Sequence, residues 1–405
     1  MDHHSPDKDY IRFLDFYDRT NVVFGNAAFT QLSEEMLLDN CNVMMLIRGQ
    51  ESAMKSGAYE AFINMAFGFE METPLYNGVP AEPDVECVRD IVRMMENMQP
   101  AAVAALGGGS VMDAAKAAYL SWQTGLDVTE LFGVNAASQK FPDRKFKRVI
   151  CIPTTAGTGS EVTPYANIVD KATGVKCLIA EQQITPELAL VDPDFTHSMP
   201  NSLTAATALD AMTHAVESYL NCSAKDFDPM AEQWALESIK LIRYALPKVL
   251  HHADDEQPVL EREMLAAAAT LAGMCITARP TALPHLCSYS LWGKVPHGLA
   301  VALFLPMFWK FYLNGENGRI IAERTMKLAG LFPSESPQKK PEDVIAACAS
   351  FVSEMSGGAT LPLDEMTVKK IAEDAVKNPA KLASAPRQIT VEDAEKVLTE
   401  ILKKG

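Results

Sequence analysis

Apolar and polar positions follow two different periods along the chain, and the period changes near residue 197. Up to about residue 195, short apolar or β-branched runs alternate with amphipathic stretches. The first kind predicts strands and the second predicts helices. Strands are expected at NVVFG, NVMMLIRG, AAVAALGGGS, RVICIPTTA and ALALVDP, and helices at EAFINMAFGF, CVRDIVRMMENM and VMDAAKAAYLSW. This alternation predicts a parallel sheet wrapped by helices.

The second half of the chain has only the helical period. Ala, Leu, Met and Glu dominate it, and apolar residues recur at intervals of three and four, as in MAEQWALESIKLIRYAL. Prolines and helix-capping residues separate the two regimes within VDPDFTHSMPNSL. We therefore predict an α/β domain with a parallel sheet over residues 1–197 and an all-helical domain over residues 198–405.

Composition narrows the class of protein. The chain has 405 residues, 48% of them apolar, and no long uncharged apolar run, so we expect a soluble protein without a membrane partner. A net charge of −16 without a dense basic block argues against nucleic acid. Eight cysteines without a CxxC pair predict free thiols in the cytoplasm. His3 and His4 lie in a polar N-terminal segment that we exclude from any site. The remaining candidate partner is a small molecule.

A glycine-rich turn in the first half is suited to phosphate. In AAVAALGGGSVMDAAKAA, a predicted strand runs into Gly107, Gly108, Gly109 and Ser110, and a predicted helix follows. Glycines let the backbone approach a phosphate, and the free N–H groups of a helix start point at it. A glycine turn with no ligand is the alternative, because many strand-to-helix connections need one.

A second polar loop, PTTAGTGSEVTP, follows the next predicted strand. It carries Thr154, Thr155 and Thr158, whose hydroxyls suit a phosphate, a ribose or a carboxamide. By itself this loop is as consistent with an ordinary connection as with a site. Ligands of open parallel sheets lie at the carboxyl ends of strands, so two such loops together favour a nucleotide.

Four residues of the helical half are candidate metal ligands. Asp210 and His214 are four positions apart on a predicted helix and share one face. His285 and His297 would complete a set of one carboxylate and three imidazoles that suits Zn²⁺ or Fe²⁺. A helical Asp–His hydrogen bond and two unrelated loop histidines are the alternative, which spacing alone does not exclude.

In this order, the motifs resemble the iron-containing (group III) alcohol dehydrogenase family. ALGGGSVMDAAKA, PTTAGTGSEVT, LVDP, LTAATALDAMTHAVESY and PHGLAVALFLP look like blocks of that family, and the resemblance covers nearly the whole chain. It implies a dinucleotide-binding α/β domain, an all-α metal-binding domain and a homodimer or higher homo-oligomer. It also implies hydride transfer between NAD or NADP and a short alcohol or aldehyde, with one divalent metal, Fe²⁺ first and Zn²⁺ or Mn²⁺ as alternatives.

The resemblance assigns roles position by position. Asp210, His214, His285 and His297 match the metal ligands, and the glycine turn with Ser110 matches the pyrophosphate loop. The residues that match the support of that loop, the nicotinamide-side loop and the nicotinamide ribose are Asp113, Lys116, Thr154, Thr155, Thr158 and Lys176.

Two positions depart from the family pattern. Tyr289 stands where many members have a further histidine, so a proton role would pass to Tyr289, another group or water. Gly49, beside Arg48, stands where NAD-preferring members often have an aspartate, which makes NADP more acceptable without excluding NAD.

The substrate prediction depends on Arg279. The segment TARPTALPHLCSYSLW looks like that of reductases of anionic two-carbon aldehydes, such as sulfoacetaldehyde (reduced to isethionate) or phosphonoacetaldehyde, and Arg279 would hold the anionic group. Pairing of Arg279 with an acid at a helix end is equally consistent. A dehydrogenase of simple neutral alcohols or diols is the alternative within this class, and a dehydroquinate-synthase-like metal lyase is the alternative of another class.

Overall fold

The chain separates into two units. The computed structural model describes residues 8–26, 28–30, 41–144, 149–222, 229–252, 258–334 and 337–402. The first unit contains residues 1–200 and 262–273, and the second contains residues 201–261 and 274–405. The predicted domain 1–197 falls inside the first unit, and residues 198–200 and 262–273 of the predicted domain 198–405 also group with it.

Among the described residues of the first unit, nine strands form two sheets. The larger sheet has six strands in the order β1-β9-β6-β4-β2-β3, and all of its pairings are parallel. The smaller sheet has the order β5-β8-β7, with β7 antiparallel to β8. The strands are β1 (Asn21–Phe24), β2 (Met44–Gly49), β3 (Leu75–Val79), β4 (Ala102–Gly107), β5 (Gly133–Val134), β6 (Val149–Pro153), β7 (Tyr165–Asp170), β8 (Val175–Ala180) and β9 (Leu188–Val191).

The parallel sheet is buried on both faces, as its uninterrupted apolar strands require. Alternate residues of β2 enter opposite cores, with Met45 and Ile47 in one core and Met44 and Leu46 in the other. The helices of this unit are α1 (Tyr10–Leu14), α2 (Ser52–Lys55), α3 (Ala58–Gly68), α4 (Val85–Met98), α5 (Gly109–Thr124) and α6 (Ala136–Lys140). Helices α4 and α5 cover the first core and α3 covers the second.

Helix α4 shows how the local sequence sets an element. The Asp84 side chain accepts a hydrogen bond of 2.8 Å from the backbone N–H of Cys87, which caps the first turn. Val88, Ile91 and Met95 follow at intervals of three and four, and all three are buried. The predicted strands and helices of this half are present. The hairpin β7–β8 was not among them, because its strands are only partly buried and lack a clear alternation.

Among its described residues, the second unit contains helices joined by loops and has no strand, which confirms the predicted all-α half. Helix α7 packs against α8 and α11, and α10 packs against α11 and α14. Residues 262–273 of helix α9 group with the first unit, and the two ends of this helix group with the second. The helices are α7 (Asn201–Leu220), α8 (Pro229–Leu250), α9 (Val259–Ala278), α10 (Leu283–Ser288), α11 (His297–Leu313), α12 (Gly318–Lys327), α13 (Pro341–Met355), α14 (Glu365–Ala375), α15 (Pro379–Ala383) and α16 (Val391–Leu402).

Two properties of the whole chain also bear on the sequence predictions. All eight cysteines are free, and Cys87, Cys151, Cys275, Cys287 and Cys348 are buried. Among the described residues, no helix combines the length and the apolar character needed to cross a bilayer.

Candidate functional site

The glycine turn of the first unit, residues 107–110, lies directly against the loop PTTAGTGSEVTP, residues 153–164. We call the latter the threonine loop. Gly108 has extended backbone before α5, and a Cβ there would lie 3.2 Å from Oγ1 of Thr155. A Cβ on Gly109 would lie 2.7 Å from Cγ2 and Oγ1 of Thr158, closer than real side chains approach. The two loops that sequence predicted separately therefore form one surface, and its tight packing requires the glycines.

This surface lies at the switch point of the parallel sheet. The helices that follow β2 and β4 cover opposite faces, so the chain diverges between the carboxyl ends of these two strands. Gly49 ends β2 and Gly107 ends β4, and Cβ atoms on them would lie 3.4 and 2.6 Å from Cγ2 of Val111. The backbone N–H of Thr154 donates to the carbonyl of Gly107 at 3.0 Å. Switch points are where doubly wound sheets bind nucleotides.

Two charged side chains of α5 brace the threonine loop from beneath. Lys116 is fully buried and its Nζ donates to the carbonyls of Ser160 and Thr163, at 2.8 and 3.1 Å. The Asp113 carboxylate accepts from the Ser160 hydroxyl at 2.7 Å and from the backbone N–H of Asn167 at 2.9 Å. Burial lowers the pKa of Lys116, and the charge of Asp113 partly offsets this effect. Both residues hold the loop in place and face away from solvent.

Ser110 and Lys176 are engaged with the loop that follows β3. The Ser110 hydroxyl donates to the carbonyl of Ala81, and Lys176 forms an ion pair of 2.7 Å with Glu82. Contact with a cofactor would require each side chain to leave or share its present partner.

Arg48 is buried and folded back on its own strand. Its Nη1 donates to the carbonyls of Gly49 and Gln50, at 2.9 and 3.1 Å, and its guanidinium lies 4.6 Å from the centre of the Tyr59 ring. The position next to Gly49 therefore carries a positive charge that contacts its own backbone and an aromatic ring, while Nε of Arg48 is buried without a hydrogen-bond partner among the described residues.

In the second unit, four predicted metal ligands converge. Asp210 and His214 lie on α7, His285 lies on α10, and His297 is the first residue of α11. Oδ1 of Asp210 lies 3.7, 3.5 and 3.8 Å from the Nε2 atoms of His214, His285 and His297. The ring of His285 stacks on that of His214, with centroids 4.6 Å apart, and meets the ring of His297 edge-on at 5.4 Å.

The hydrogen bonding of this cluster fits a bound cation. Oδ1 of Asp210 and Nε2 of His285 are buried, and neither has a hydrogen-bond partner among the described residues. Such atoms require an explanation, and an ion between them supplies one. One ligand atom each from Asp210, His285 and His297 lie within 4.8 Å of one another. Burial alone raises the pKa of the Asp210 carboxyl, but the positive charges of the neighbouring histidines lower it overall, so this group is ionised.

A glycine permits this convergence. A Cβ on Gly298 would lie 2.0 Å from the carbonyl oxygen of Ala206 and 2.9 Å from Cβ of Asp210. Only a glycine after His297 therefore lets α11 start directly against α7. This glycine belongs to the motif PHGLAVALFLP, but the sequence alone does not show that it lies against another helix.

The two predicted substrate residues have different surroundings. The Tyr289 ring is half-buried and stacks on His297, with centroids 6.2 Å apart. Arg279 ends α9 and is 2% exposed. Burial raises the pKa of Tyr219 to about 12, and the charge of Arg279 partly opposes this rise. Arg279 is therefore as buried as Asp210 and His285, and its role toward a substrate anion stays a prediction.

Glu217 is a site residue that sequence analysis missed. It is 2% exposed, and its carboxylate contacts Nδ1 of His285 and accepts a hydrogen bond of 2.8 Å from the backbone N–H of Ala282. The signal was present, since Asp210, His214 and Glu217 are spaced four and three apart on one helix face. Its partner is 68 positions away in the chain, so the sequence did not reveal what this acid contacts.

Comparisons with known proteins agree with this geometry. Residues 19–193 match the model described as iron-containing alcohol dehydrogenase. Residues 204–402 match the model described as Fe-containing alcohol dehydrogenase family, C-terminal. Together these two models cover nearly the whole chain.

Curated relatives include both longer and similarly sized proteins. Aldehyde-alcohol dehydrogenase 2 of Entamoeba histolytica is 33% identical over 81% of this chain, which spans only 40% of that protein. NAD-dependent methanol dehydrogenase of Bacillus methanolicus is 32% identical, over 80% of this chain and 82% of the relative. NADPH-dependent butanol dehydrogenase of Clostridium saccharobutylicum is 29% identical, over 87% and 90%.

A solved structure extends the likeness to three dimensions. The iron-containing alcohol dehydrogenase of Thermotoga maritima superposes with a TM-score of 0.81 at 26% identity, covering 96% of this chain and 99% of that one. The motif order, the ligand cluster and both family models lead to one conclusion. This chain belongs to the iron-containing alcohol dehydrogenase family.

Proposed function

We propose that this protein is a metal-dependent, NAD(P)-linked oxidoreductase that interconverts short primary alcohols and their aldehydes. The observation that carries the proposal is the cluster of one carboxylate and three imidazoles around buried, unsatisfied atoms of Asp210 and His285. Family membership connects that cluster to alcohol chemistry, and it favours a dehydrogenase over the dehydroquinate-synthase-like lyase.

Asp210, His214, His285 and His297 are the residues that would hold the metal. The three imidazoles and the ionised carboxylate suit Fe²⁺, with Zn²⁺ or Mn²⁺ as alternatives. A divalent ion held there supplies Lewis-acid catalysis at the oxygen of the alcohol or aldehyde. Tyr289, which stacks on His297, keeps its predicted role, in which its hydroxyl carries a proton to or from that oxygen.

The glycine turn and the threonine loop are the proposed dinucleotide site. Backbone N–H groups of Gly108 and Gly109 at the start of α5 would bind the pyrophosphate, with Thr154, Thr155 and Thr158 beside them. The nicotinamide supplies the hydride acceptor or donor. One relative is named for NAD and one for NADPH, and Arg48 is turned away onto its own backbone, so both dinucleotides stay candidates.

The proposed substrates are neutral short alcohols. Relatives are named for methanol and butanol, and Arg279 is buried at the end of α9. An anionic aldehyde, such as sulfoacetaldehyde or phosphonoacetaldehyde, held by Arg279, stays a prediction from sequence. A homo-oligomer also stays a prediction, for which light scattering is the test. The eight free cysteines support the predicted cytoplasmic location.

An absorbance assay of nicotinamide oxidation tests this proposal. The purified protein is given NADH or NADPH with formaldehyde, propanal, butanal, sulfoacetaldehyde and phosphonoacetaldehyde. We expect faster oxidation with the neutral aldehydes. Preference for the two anionic aldehydes would restore the predicted anion specificity. No oxidation with any aldehyde would contradict the dehydrogenase proposal and favour the lyase.

A further inference from the structure

We propose that Glu217 is a positioning residue that fixes both the backbone and the imidazole tautomer of His285, so that Nε2 of His285 is the atom offered to the metal. The inference rests on the proposed function in taking His285 as a metal ligand. The four predicted ligands do not include Glu217, which lies behind His285 as seen from Asp210.

The backbone that leads into His285 is held by side chains of other helices. Helix α10 starts at Leu283, and its N-cap residue Ala282 has no side chain that can accept a hydrogen bond. Its first N–H groups are instead bound by other helices. The carboxylate of Glu217 accepts from the N–H of Ala282 at 2.8 Å, and the hydroxyl oxygen of Tyr312 accepts from the N–H of Leu283 at 3.1 Å.

The residue before this turn is also held by side chains. Nζ of Lys381 donates to Oγ1 of Thr281 at 2.5 Å, and the hydroxyl of Ser384 donates to the carbonyl of Thr281 at 2.8 Å. The backbone that precedes His285 is therefore fastened on more than one side. Glu217 differs from the other partners because it also contacts the His285 ring.

The Glu217 carboxylate also determines which nitrogen of His285 carries the proton. The other oxygen of the Glu217 carboxylate contacts Nδ1, and an ionised carboxylate only accepts hydrogen bonds. This network assigns the proton of the neutral ring to Nδ1. The lone pair is then on Nε2, which faces Oδ1 of Asp210 at 3.5 Å. Carboxylates in this position fix the tautomer and the orientation of metal-binding histidines.

The isosteric substitution Glu217→Gln tests the assignment, because an amide has one acceptor and one donor. If its oxygen serves Ala282, its NH₂ group meets Nδ1 and favours the tautomer with the proton on Nε2. If the amide is reversed, two donors meet at Ala282. In either orientation the variant cannot replace both contacts of the carboxylate.

The first measurement is metal affinity of metal-free protein, titrated with Zn²⁺ or Co²⁺ against a competing chelator. We expect Glu217→Gln to bind about 10- to 100-fold more weakly than wild type, as for other partners of metal-bound histidines. Tyr312→Phe is the matched control, because it removes the other acceptor from the same helix start without touching the ring. We expect its affinity to stay within about threefold of wild type, since Tyr312 does not contact the His285 ring and so does not affect its tautomer. Thermal melts check that both variants fold.

The second measurement requires neither metal nor turnover. Long-range ¹⁵N–¹H spectra of histidine-labelled, metal-free protein report the tautomer of His285 at a pH above its titration, with His285→Ala used for assignment. We expect the Nδ1–H tautomer in wild type and a shift toward Nε2–H in Glu217→Gln.

The outcomes separate this inference from the proposed function. A wild-type His285 with its proton on Nε2 overturns the inference, and so does equal weakening of metal affinity by Glu217→Gln and Tyr312→Phe. A protein with the expected tautomers and affinities but no alcohol or aldehyde activity leaves the inference in place and contradicts the proposed function instead.

Discussion

At the scale of single residues, small differences in side-chain size decide whether the candidate ligands meet. Gly298 shows this most directly, because the carbonyl of Ala206 occupies the space that any Cβ would need. The convergence of the ligands depends on this close packing of α11 on α7, so the histidines alone do not define the site. Glu217 adds the orientation of one ring, and Gly298 adds the approach of one helix.

Gly298→Ala should therefore reduce metal binding without removing any ligand. Alanine favours a helix over glycine by about 1 kcal/mol, but here α7 and α11 must separate, and forcing an extra carbon into a packed site costs about 1–3 kcal/mol. We expect lower metal content by elemental analysis and a lower melting temperature. Gly330→Ala is the control, because a Cβ there meets nothing within 4 Å. Unchanged metal content in Gly298→Ala would show that the close approach is not required.

At the scale of elements, the segment 262–273 of α9 belongs with the α/β unit and supports the threonine loop. Oγ1 of Thr270 donates to the Glu161 carboxylate at 2.9 Å. At the end of the segment Gly273 faces Gly159 so closely that a Cβ on Gly273 would lie 2.7 Å from the Gly159 carbonyl oxygen. Gly159 itself has φ of +64°, a conformation that glycine adopts without strain.

Gly273→Ala should weaken dinucleotide binding from a distance. The added carbon pushes on the loop that carries Thr155 and Thr158, so the surface under the glycine turn shifts. We expect the dissociation constant for NADH or NADPH, measured by fluorescence titration, to rise about tenfold or more, equivalent to about 1.4 kcal/mol. Gly68→Ala, at the end of α3 where nothing lies within 4 Å, should leave it unchanged. Equal affinity in wild type and Gly273→Ala would remove this support from the loop.

At the scale of the whole molecule, the sequence predicted the order and type of the elements better than it predicted the contacts of individual side chains. The alternation of strand-like and helical stretches identified the parallel sheet, because parallel strands are joined by helical crossovers. The face shared by Asp210 and His214 follows from helical spacing. Sequence does not show what a charged residue touches, so the partner of Arg279 stayed open, and Glu217 was overlooked although it contacts His285.

The buried thiols predict how stability changes in alkali. Burial raises the pKa of Cys151, Cys275 and Cys348 to about 12 each. A thiol with a raised pKa in the folded state stabilises the protein fully at a pH below its unfolded pKa of about 9. This stability is lost as pH rises from about 9 toward 12, because the unfolded chain then releases the thiol proton more readily than the folded protein. We expect the free energy of unfolding, from denaturant titrations, to fall with pH above about 9, and less steeply in Cys348→Ala. Cys41→Ala, at a half-buried cysteine, is the control. Parallel pH profiles for wild type and Cys348→Ala would contradict this assignment.

We propose that the cluster around Asp210 holds the metal that the interconversion of alcohol and aldehyde requires. The most direct test of this proposal measures bound metal and turnover on the same samples, while metal-free wild type and Asp210→Asn are titrated anaerobically with Fe²⁺. We expect that wild type binds a single ion per chain, that NAD(P)-linked alcohol oxidation rises in proportion to bound metal, and that Asp210→Asn shows neither. Full turnover in wild-type protein without bound metal would contradict this proposal.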